Sequence, residues 1–311
     1  MILNTSAEHK WDDSEFHPDN DRAYQQWRRT KLSSLPDSVN DLIVNVVDAT
    51  KLTDQEVEAM LDKLARYNSV VYRQRVTAAD HKAIAHTISQ TFHMQRLDNH
   101  LCADDDAISC LTVMPEGTTH EGYIPYTNRA INWHTDGYYN TADRQIRSML
   151  LHCEAPAARG GENQILDHEL VYIQMRDLNP DYIRALMEMD VMTIPANISQ
   201  GEEIRPAMTG PVFSLDPATG HLHMRFTART RSIEWKDNER VHEAVACLHG
   251  LLTENNPYVM NLCLASGEGL LTNNVLHNRT AFQNDVDAGQ ERSIYRARYY
   301  DRITKANGSR G

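Results

Sequence analysis

The 311-residue chain carries 31 Lys and Arg against 43 Asp and Glu, a formal charge of −12, which excludes a chain-wide electrostatic grip on nucleic acid or on an anionic membrane surface. No run approaches the ~18 uninterrupted apolar residues of a membrane span. With 41% hydrophobic residues the chain can bury a sizeable core, and a start that lacks a basic and then apolar leader predicts a cytoplasmic protein.

Residues 1–40 read as a polar arm with one short helix near Ala23–Lys31. The β-branched run Leu42–Val47 predicts a buried strand. Thr53 with Glu56 forms a capping-box signature, and Val57, Met60, Leu61 and Leu64 recur at helical spacing, so a helix covers Asp54–Tyr67. A strand follows at Ser69–Arg73, and Thr77 with Asp80 opens a helix that runs to about Phe92. The stretch Gly117–Arg129 carries turn residues and few periodic apolars, which predicts a long loop, a feature often tied to function. Ser148–Glu154 is a strand, and Gly160-Gly161 turns the chain into another at Gln164–Leu166. Helices start after Asp167 and at Pro180, the latter capped by Asn179. Val212–Leu215 and His221–Thr227 form a hairpin, and a helix spans Asn238–Thr253. Strands close the chain at Val259–Leu264, Leu270–His277 and Arg292–Tyr300.

Helices and strands do not alternate regularly, so a doubly wound sheet is not expected. An α+β chain with a mainly β core, closed or of two sheets, and helices packed outside fits better. No linker divides it, so residues 41–303 read as one domain, with a polar tail at 304–311. Five scattered cysteines without a Cys-x-x-Cys pair predict thiols in a reducing compartment, neither a disulfide framework nor a thiolate zinc site.

Chemistry concentrates at a few places. In His134-Thr135-Asp136, residues two apart on an extended backbone point to one face, bringing an imidazole and a carboxylate together. That pair suits a divalent first-row metal. The tripeptide alone is weak, since His17-Pro18-Asp19 repeats the spacing in the polar arm. Downstream, Leu271, Asn273, Val275 and His277 would share one strand face, and His277 supplies the third ligand of a two-histidine, one-carboxylate set. Arg292, Ile294, Arg296 and Arg298 share a face of the last strand. Guanidiniums inside a β core suit carboxylates bidentately, although taken alone these arginines fit the solvated face of an edge strand better.

Together, His134-Thr135-Asp136, the Gly160-Gly161 turn, His277 followed by Asn278-Arg279-Thr280-Ala281-Phe282, and Arg292 through Arg296 resemble the TauD/TfdA (taurine dioxygenase-like) family of Fe(II)/2-oxoglutarate-dependent oxygenases, from about Leu42 to Ile303. The resemblance implies a double-stranded β-helix, or jelly roll. Its Fe(II) would be held by His134, Asp136 and His277, with 2-oxoglutarate as co-substrate and O2 as oxidant. Arg292 would pair with the far carboxylate of 2-oxoglutarate. Asn163 stands where the family often has a threonine for that co-substrate. Arg296 matches the position that grips an acidic group of the primary substrate, and the long His277-to-Arg292 spacing leaves the two arginines open to exchanging roles. The implied reaction hydroxylates or desaturates an unactivated C–H of a small anionic or amino-acid-like molecule and yields succinate and CO2. Because Asp136 is present, halogenation, in which chloride replaces that carboxylate on the metal, is disfavoured.

Tyr138 and Arg229 are further candidates for substrate contact. Arg225, Arg229 and Arg231 form either a second anion clamp or a basic surface, and Gly117–Arg129 is the candidate lid. Asp104-Asp105-Asp106 reads as a solvated turn. Symmetric dimers or tetramers are the prior for oligomeric state. Two other readings stay open: a metal-dependent dioxygenase or hydrolase that does not use 2-oxoglutarate, and a non-catalytic jelly-roll binder of a small acid.

Overall fold

The Thr53 and Glu56 signature closes as a capping box in the computed structural model. Thr53 Oγ1 accepts the Glu56 N–H at 3.3 Å, and the Glu56 carboxylate accepts the Thr53 N–H at 2.7 Å. The Asp54–Tyr67 helix that follows ends at Asn68, which adopts a left-handed φ of 54°. Asp80, Asp167, Asn179 and Asn238 cap the helices His81–Thr91, His168–Leu178, Pro180–Leu186 and Glu239–Leu251, each by accepting a backbone N–H early in its helix. Such caps satisfy donors that the first helical turn leaves open, each worth about 1 kcal/mol.

The structure describes residues 11–74, 80–98, 108–114, 123–199, 201–216, 219–229, 233–253 and 255–304. Thr77, Asp104–Asp106, Arg231 and residues 117–122 of the expected lid lie outside them. The chain is a mixed α/β protein that divides into two compact units. One comprises Met1–Leu35, Gly137–Ala142 and Leu166–Val259; the other comprises Pro36–Asp136, Asp143–Ile165 and Met260–Gly311.

The second unit carries the main sheets. Its six-stranded sheet runs, in spatial order, Ile43–Val46, Ser69–Gln74, Glu268–Thr272, Ser148–Ala155, Ser293–Tyr299 and Ser109–Leu111. The first pair is parallel, joined through the Asp54–Tyr67 helix, and the rest are antiparallel. A four-stranded sheet orders Met260–Leu262, Asn163–Leu166, Leu276–Arg279 and Ile131–His134. The period-2 alternation of the long strand sorts its side chains between two cores. Met149, Leu151 and Cys153 join Ile165, Leu262 and Val275 in the cluster shared with the four-stranded sheet. Leu150 faces the other way, with Val70, Leu271 and Tyr299, onto Met60, Leu64, Ile84 and Ile88 of the two helices. Fully burying each such aliphatic side chain contributes about 1.5–3 kcal/mol.

Two expectations need correction. Leu270–His277 is not one strand. It ends at Thr272, bends, and resumes at Leu276 in the other sheet. Asn274, at a left-handed φ of 52°, makes the break, so Leu271 and His277 do not share a strand face. Nor does the Ser293–Tyr299 strand lie at an edge, since it is paired on both sides and Arg292 and Arg298 are buried.

In the first unit, the N-terminal polar composition conceals an aromatic cluster. Phe16 and Tyr24 are buried, and Phe16 meets Trp27 and Tyr172 edge-on at 4.8 and 5.7 Å between ring centroids. The helix here is Asp21–Ser33, longer than expected. Its Lys31 Nζ lies 2.6 Å from both Asp167 Oδ2 and Glu169 Oε2. Burial works against that ammonium, but the two carboxylates outweigh it and hold its pKa above the usual lysine value.

Candidate active site

The Ile131–His134 and Leu276–Arg279 strands are antiparallel neighbours in a register that sets His134 directly opposite His277. Their rings stand 4.2 Å apart, centroid to centroid. The chain turns just after His134, where Gly137 takes a φ of 67°, and brings back Asp136, whose Oδ1 lies 3.7 Å from His134 Nε2. One ligand atom from each of the three residues falls within 4.8 Å of the others.

The local bonds suit this group to a cation. His134 Nδ1 bonds to the Asn132 carbonyl and His277 Nδ1 to the Val275 carbonyl, both at 2.9 Å. A carbonyl only accepts, so Nδ1 carries a proton in each ring, and Nε2 is the nitrogen that holds the lone pair when the ring is neutral. Burial, then the neighbouring His134, pulls the His277 pKa down to about 4 and keeps that ring neutral. Burial alone would push the Asp136 carboxyl up, but Arg296, His134, Arg298 and His277 hold it well below the usual carboxylate range. Asp136 Oδ2 is buried without a hydrogen-bond partner among the described residues, an oxygen left for a ligand. Two imidazoles and one carboxylate with open positions are the donor set of non-haem Fe(II).

Asn274, whose role the sequence did not signal, couples the parts of this group. Its Oδ1 accepts the Asp136 N–H at 2.8 Å, while its Nδ2 donates to the Asp136 and Ile146 carbonyls at 3.0 and 2.6 Å. The residue that breaks the expected strand therefore also fixes the turn bearing the carboxylate.

One cavity holds His134 and His277 together with Asn163, Arg292 and Arg296, beside Met149 and Leu151. Arg292 is buried and its Nη1 has no partner among the described residues. Its guanidinium rests 5.2 Å from the Phe282 ring centre, and burial pulls its pKa down to about 10. Gly161, at a φ of 79°, leaves room for it: a Cβ there would sit 3.4 Å from Arg292 Nε. Asn163 donates one amide hydrogen to the Asn278 carbonyl at 2.8 Å and has a second to offer. Arg296 Nη1 lies 3.8 Å from Asp136 Oδ1. Arg279, quoted in the motif but given no role by it, donates to the carbonyls of Pro125, Thr127 and Arg129 at 3.3, 2.7 and 2.6 Å. It thus fixes the described end of the expected lid.

Tyr138 and Arg229 belong to the other unit, where Arg229 Nη1 donates to the Tyr138 hydroxyl at 3.4 Å. Arg225 is no anion clamp. Its donors go to the carbonyls of Pro211, Tyr138, Met208, Met192 and Gly210 at 2.5–3.3 Å.

A two-histidine, one-carboxylate group set in a mixed α/β fold, with buried arginines in its cavity, is a donor set suited to a divalent metal. The chain belongs to the taurine catabolism dioxygenase TauD, TfdA family, whose model matches residues 31–298. It is similar to a uridine-5'-phosphate dioxygenase of an Amycolatopsis species, 26% identical over 181 residues, which are 56% of this chain and 62% of that protein. A Streptomyces enzyme of the same name is 27% identical over 192 residues, 58% of this chain and 65% of its own length. The match thus spans under two thirds of these relatives. Among solved structures, an asparagine oxygenase with Fe(II), 2S,3S-3-hydroxyasparagine and succinate gives a TM-score of 0.56 at 13% identity, covering 83% of this chain and 93% of that one. A taurine dioxygenase from Burkholderia xenovorans gives 0.55 at 16% identity, covering 85% and 89%. At these identities the likeness is one of fold. Among the described residues, no helix is long and apolar enough to cross a membrane.

Proposed function

We propose that this chain is an Fe(II)- and 2-oxoglutarate-dependent dioxygenase that hydroxylates or desaturates an unactivated C–H bond of a small anionic or amino-acid-like molecule. 2-Oxoglutarate is converted to succinate and CO2. The active unit is a jelly-roll domain over residues 41–303 of a cytoplasmic protein, a reading supported by the family match over residues 31–298. One observation carries the proposal. His134 and His277, grouped with Asp136, line one cavity with a buried arginine, Arg292, whose Nη1 has no partner among the described residues.

In this reading His134 and His277 bind the metal through Nε2, each ring held in one tautomer by a backbone carbonyl. Asp136 completes the face as a carboxylate. Bound iron supplies the activation of O2 that protein side chains lack. Arg292 pairs with the far carboxylate of 2-oxoglutarate, and the desolvation that depresses its pKa also strengthens that pairing. Asn163 offers its second amide hydrogen to the same co-substrate. Arg296, beside Asp136, grips the acidic group of the primary substrate. The relatives' names join a phosphate ester, an amino acid and a sulfonate, and each carries an anionic group an arginine would hold. Uridine 5'-phosphate, asparagine and taurine therefore head a substrate screen.

The test is anaerobic addition of Fe(II) and 2-oxoglutarate, followed by air. The wild-type chain is expected to develop a weak visible charge-transfer band and then to form succinate. His277→Ala is expected to lose both, with activity down by at least about 10³-fold. Reconstituted wild-type protein that gives neither band nor succinate would sink the reading.

A further inference from the structure

The Asp136 carboxylate faces two guanidiniums, and they are not equivalent. Arg296 Nη1 and Arg298 Nη1 stand 3.8 and 3.9 Å from Asp136 Oδ1. Among the described residues, Asp136 is the only carboxylate in ion-pair range of Arg296. Arg298 has a second one, Asp98.

We propose that Asp98 is a positioning residue for the metal centre, acting through Arg298. It draws that guanidinium off Asp136 and cancels its charge, so that the carboxylate remains available to a divalent cation. This rests on the reading of His134, Asp136 and His277 as the metal site.

The construction runs from backbone to side chain. The Asp98 N–H donates to the Arg298 carbonyl at 2.8 Å, and Leu97 bridges Tyr299 antiparallel. That register sets the two side chains against each other, both buried at 3% exposure. Arg298 Nη2 donates to Asp98 Oδ2. Asp98 Oδ1 accepts from the Tyr300 hydroxyl at 2.5 Å and lies 3.9 Å from Arg144 Nη2. Arg144 in turn donates to the Tyr300 hydroxyl oxygen at 2.9 Å through Nη2 and 3.1 Å through Nε. Both Asp98 oxygens are therefore engaged, and a continuous chain links the metal-binding carboxylate to Arg144 at the surface.

The physical logic is competition for lone pairs. Without Asp98, Arg298, its side chain 3% exposed against 10% for Arg296, is the more desolvated of the two guanidiniums and gains more by closing its gap to Asp136 into a bidentate pair. That pair would occupy the oxygens a metal needs and leave its positive charge beside the incoming cation. With Asp98 present, Asp98 and Arg298 sum to zero, and Nη2 is tied away from Asp136. Arg296 keeps its charge for an anionic ligand. Both arginines are two-residue neighbours on one strand face, so sequence spacing alone cannot tell them apart.

The test uses the full chain with Co(II) as the metal probe, read by its visible absorption, and the melting temperature of metal-free protein as a separate readout. Asp98→Asn is expected to weaken Co(II) affinity by about 10-fold, the low end of the roughly 10–100-fold cost of losing a direct partner of a metal ligand. Adding Arg298→Met removes the orphaned cation and is expected to bring the affinity back toward wild type, an outcome that a purely structural role for Asp98 does not produce. Tyr300→Phe, a milder change that strips one hydrogen bond from Asp98, is expected to weaken Co(II) binding less but in the same direction. Wild-type affinity in Asp98→Asn overturns the proposal, and so does a double variant no better than the single one. Should Asp98→Asn not fold, unchanged affinity in Tyr300→Phe overturns it. Wild-type protein that fails to bind Co(II), or His277→Ala that binds as well as wild type, strikes at the metal-site reading instead.

Discussion

Two arginines, one in each compact unit, are buried to a similar degree, 3% exposed for Arg225 and 5% for Arg292, and burial pulls both pKa values down to about 10. Their surroundings differ in kind. Arg225 spends its donors on five backbone carbonyls from separate strands and turns. Arg292 leans on Phe282 and leaves Nη1 without a partner among the described residues. Burial and a shifted pKa therefore do not mark a binding site by themselves. What marks it is a desolvated donor that the protein leaves unsatisfied, because such a group gains most from a ligand.

Substituting each in turn breaks or confirms this contrast. Arg225→Met strands several carbonyls at about 1–3 kcal/mol each, so a stability loss of more than about 3 kcal/mol is expected in urea denaturation. Arg292→Met removes an uncompensated buried cation, and its stability is expected to stay within about 1 kcal/mol of wild type. The same change is expected to raise the KM for 2-oxoglutarate by about 30-fold or more, since truncating one side of a buried charged pair costs about 2–5 kcal/mol. Equal destabilisation by the two variants would dissolve the distinction.

Histidines extend the comparison. His152 has both nitrogens engaged, by the Tyr72 hydroxyl at 2.7 Å and by His81 Nδ1 at 2.9 Å. His277 turns one nitrogen to a carbonyl and the other to the site. Burial lowers both pKa values to about 4, helped by His81 at the first and His134 at the second. Each therefore binds its proton more readily when unfolded, and stability is full above about pH 6.5 and lost as pH falls toward 4. In metal-free protein each histidine is expected to cost about 2 kcal/mol between pH 7 and pH 5. His152→Gln should shrink the drop measured by denaturant at those two pH values by about 2 kcal/mol. A drop of unchanged size would place the sensitivity elsewhere.

The smallest effect belongs to half-buried Tyr138 and exposed Arg229 in the first unit. Tyr138→Phe removes a 3.4 Å hydrogen bond from Arg229, and stability is expected to change by less than about 0.5 kcal/mol. A KM for the primary substrate raised at unchanged kcat would make Tyr138 a substrate contact. Unchanged kinetics would return it to packing.

The legibility of the molecule follows the range of the interactions involved. Thr53 with Glu56, Asp167, Asn179 and Asn238 announce their helices because capping joins groups two or three residues apart. His134 and Asp136 announce a candidate metal-ligand pair for the same local reason, and His277 with the arginines is legible through motif order. Leu270–His277 misled because an apolar run looks alike whether it stays in one sheet or crosses between two. Asn274's bonds to Asp136 and Ile146 and Asn273's to Asn68 and Ile303 hold the bend, and apart from that to Ile303 each partner lies more than 100 positions away.

By itself, then, the sequence determined the capped helices, the strand-rich core and the identity of the three metal-binding candidates, all governed by short-range spacing. Tertiary structure alone decided which arginine is satisfied and which is left waiting, and that Asp98 answers Arg298. Arg225 reaches carbonyls 14 to 87 positions away and Asp98 meets Arg298 across 200 positions, ranges over which no local pattern records which donor meets which acceptor.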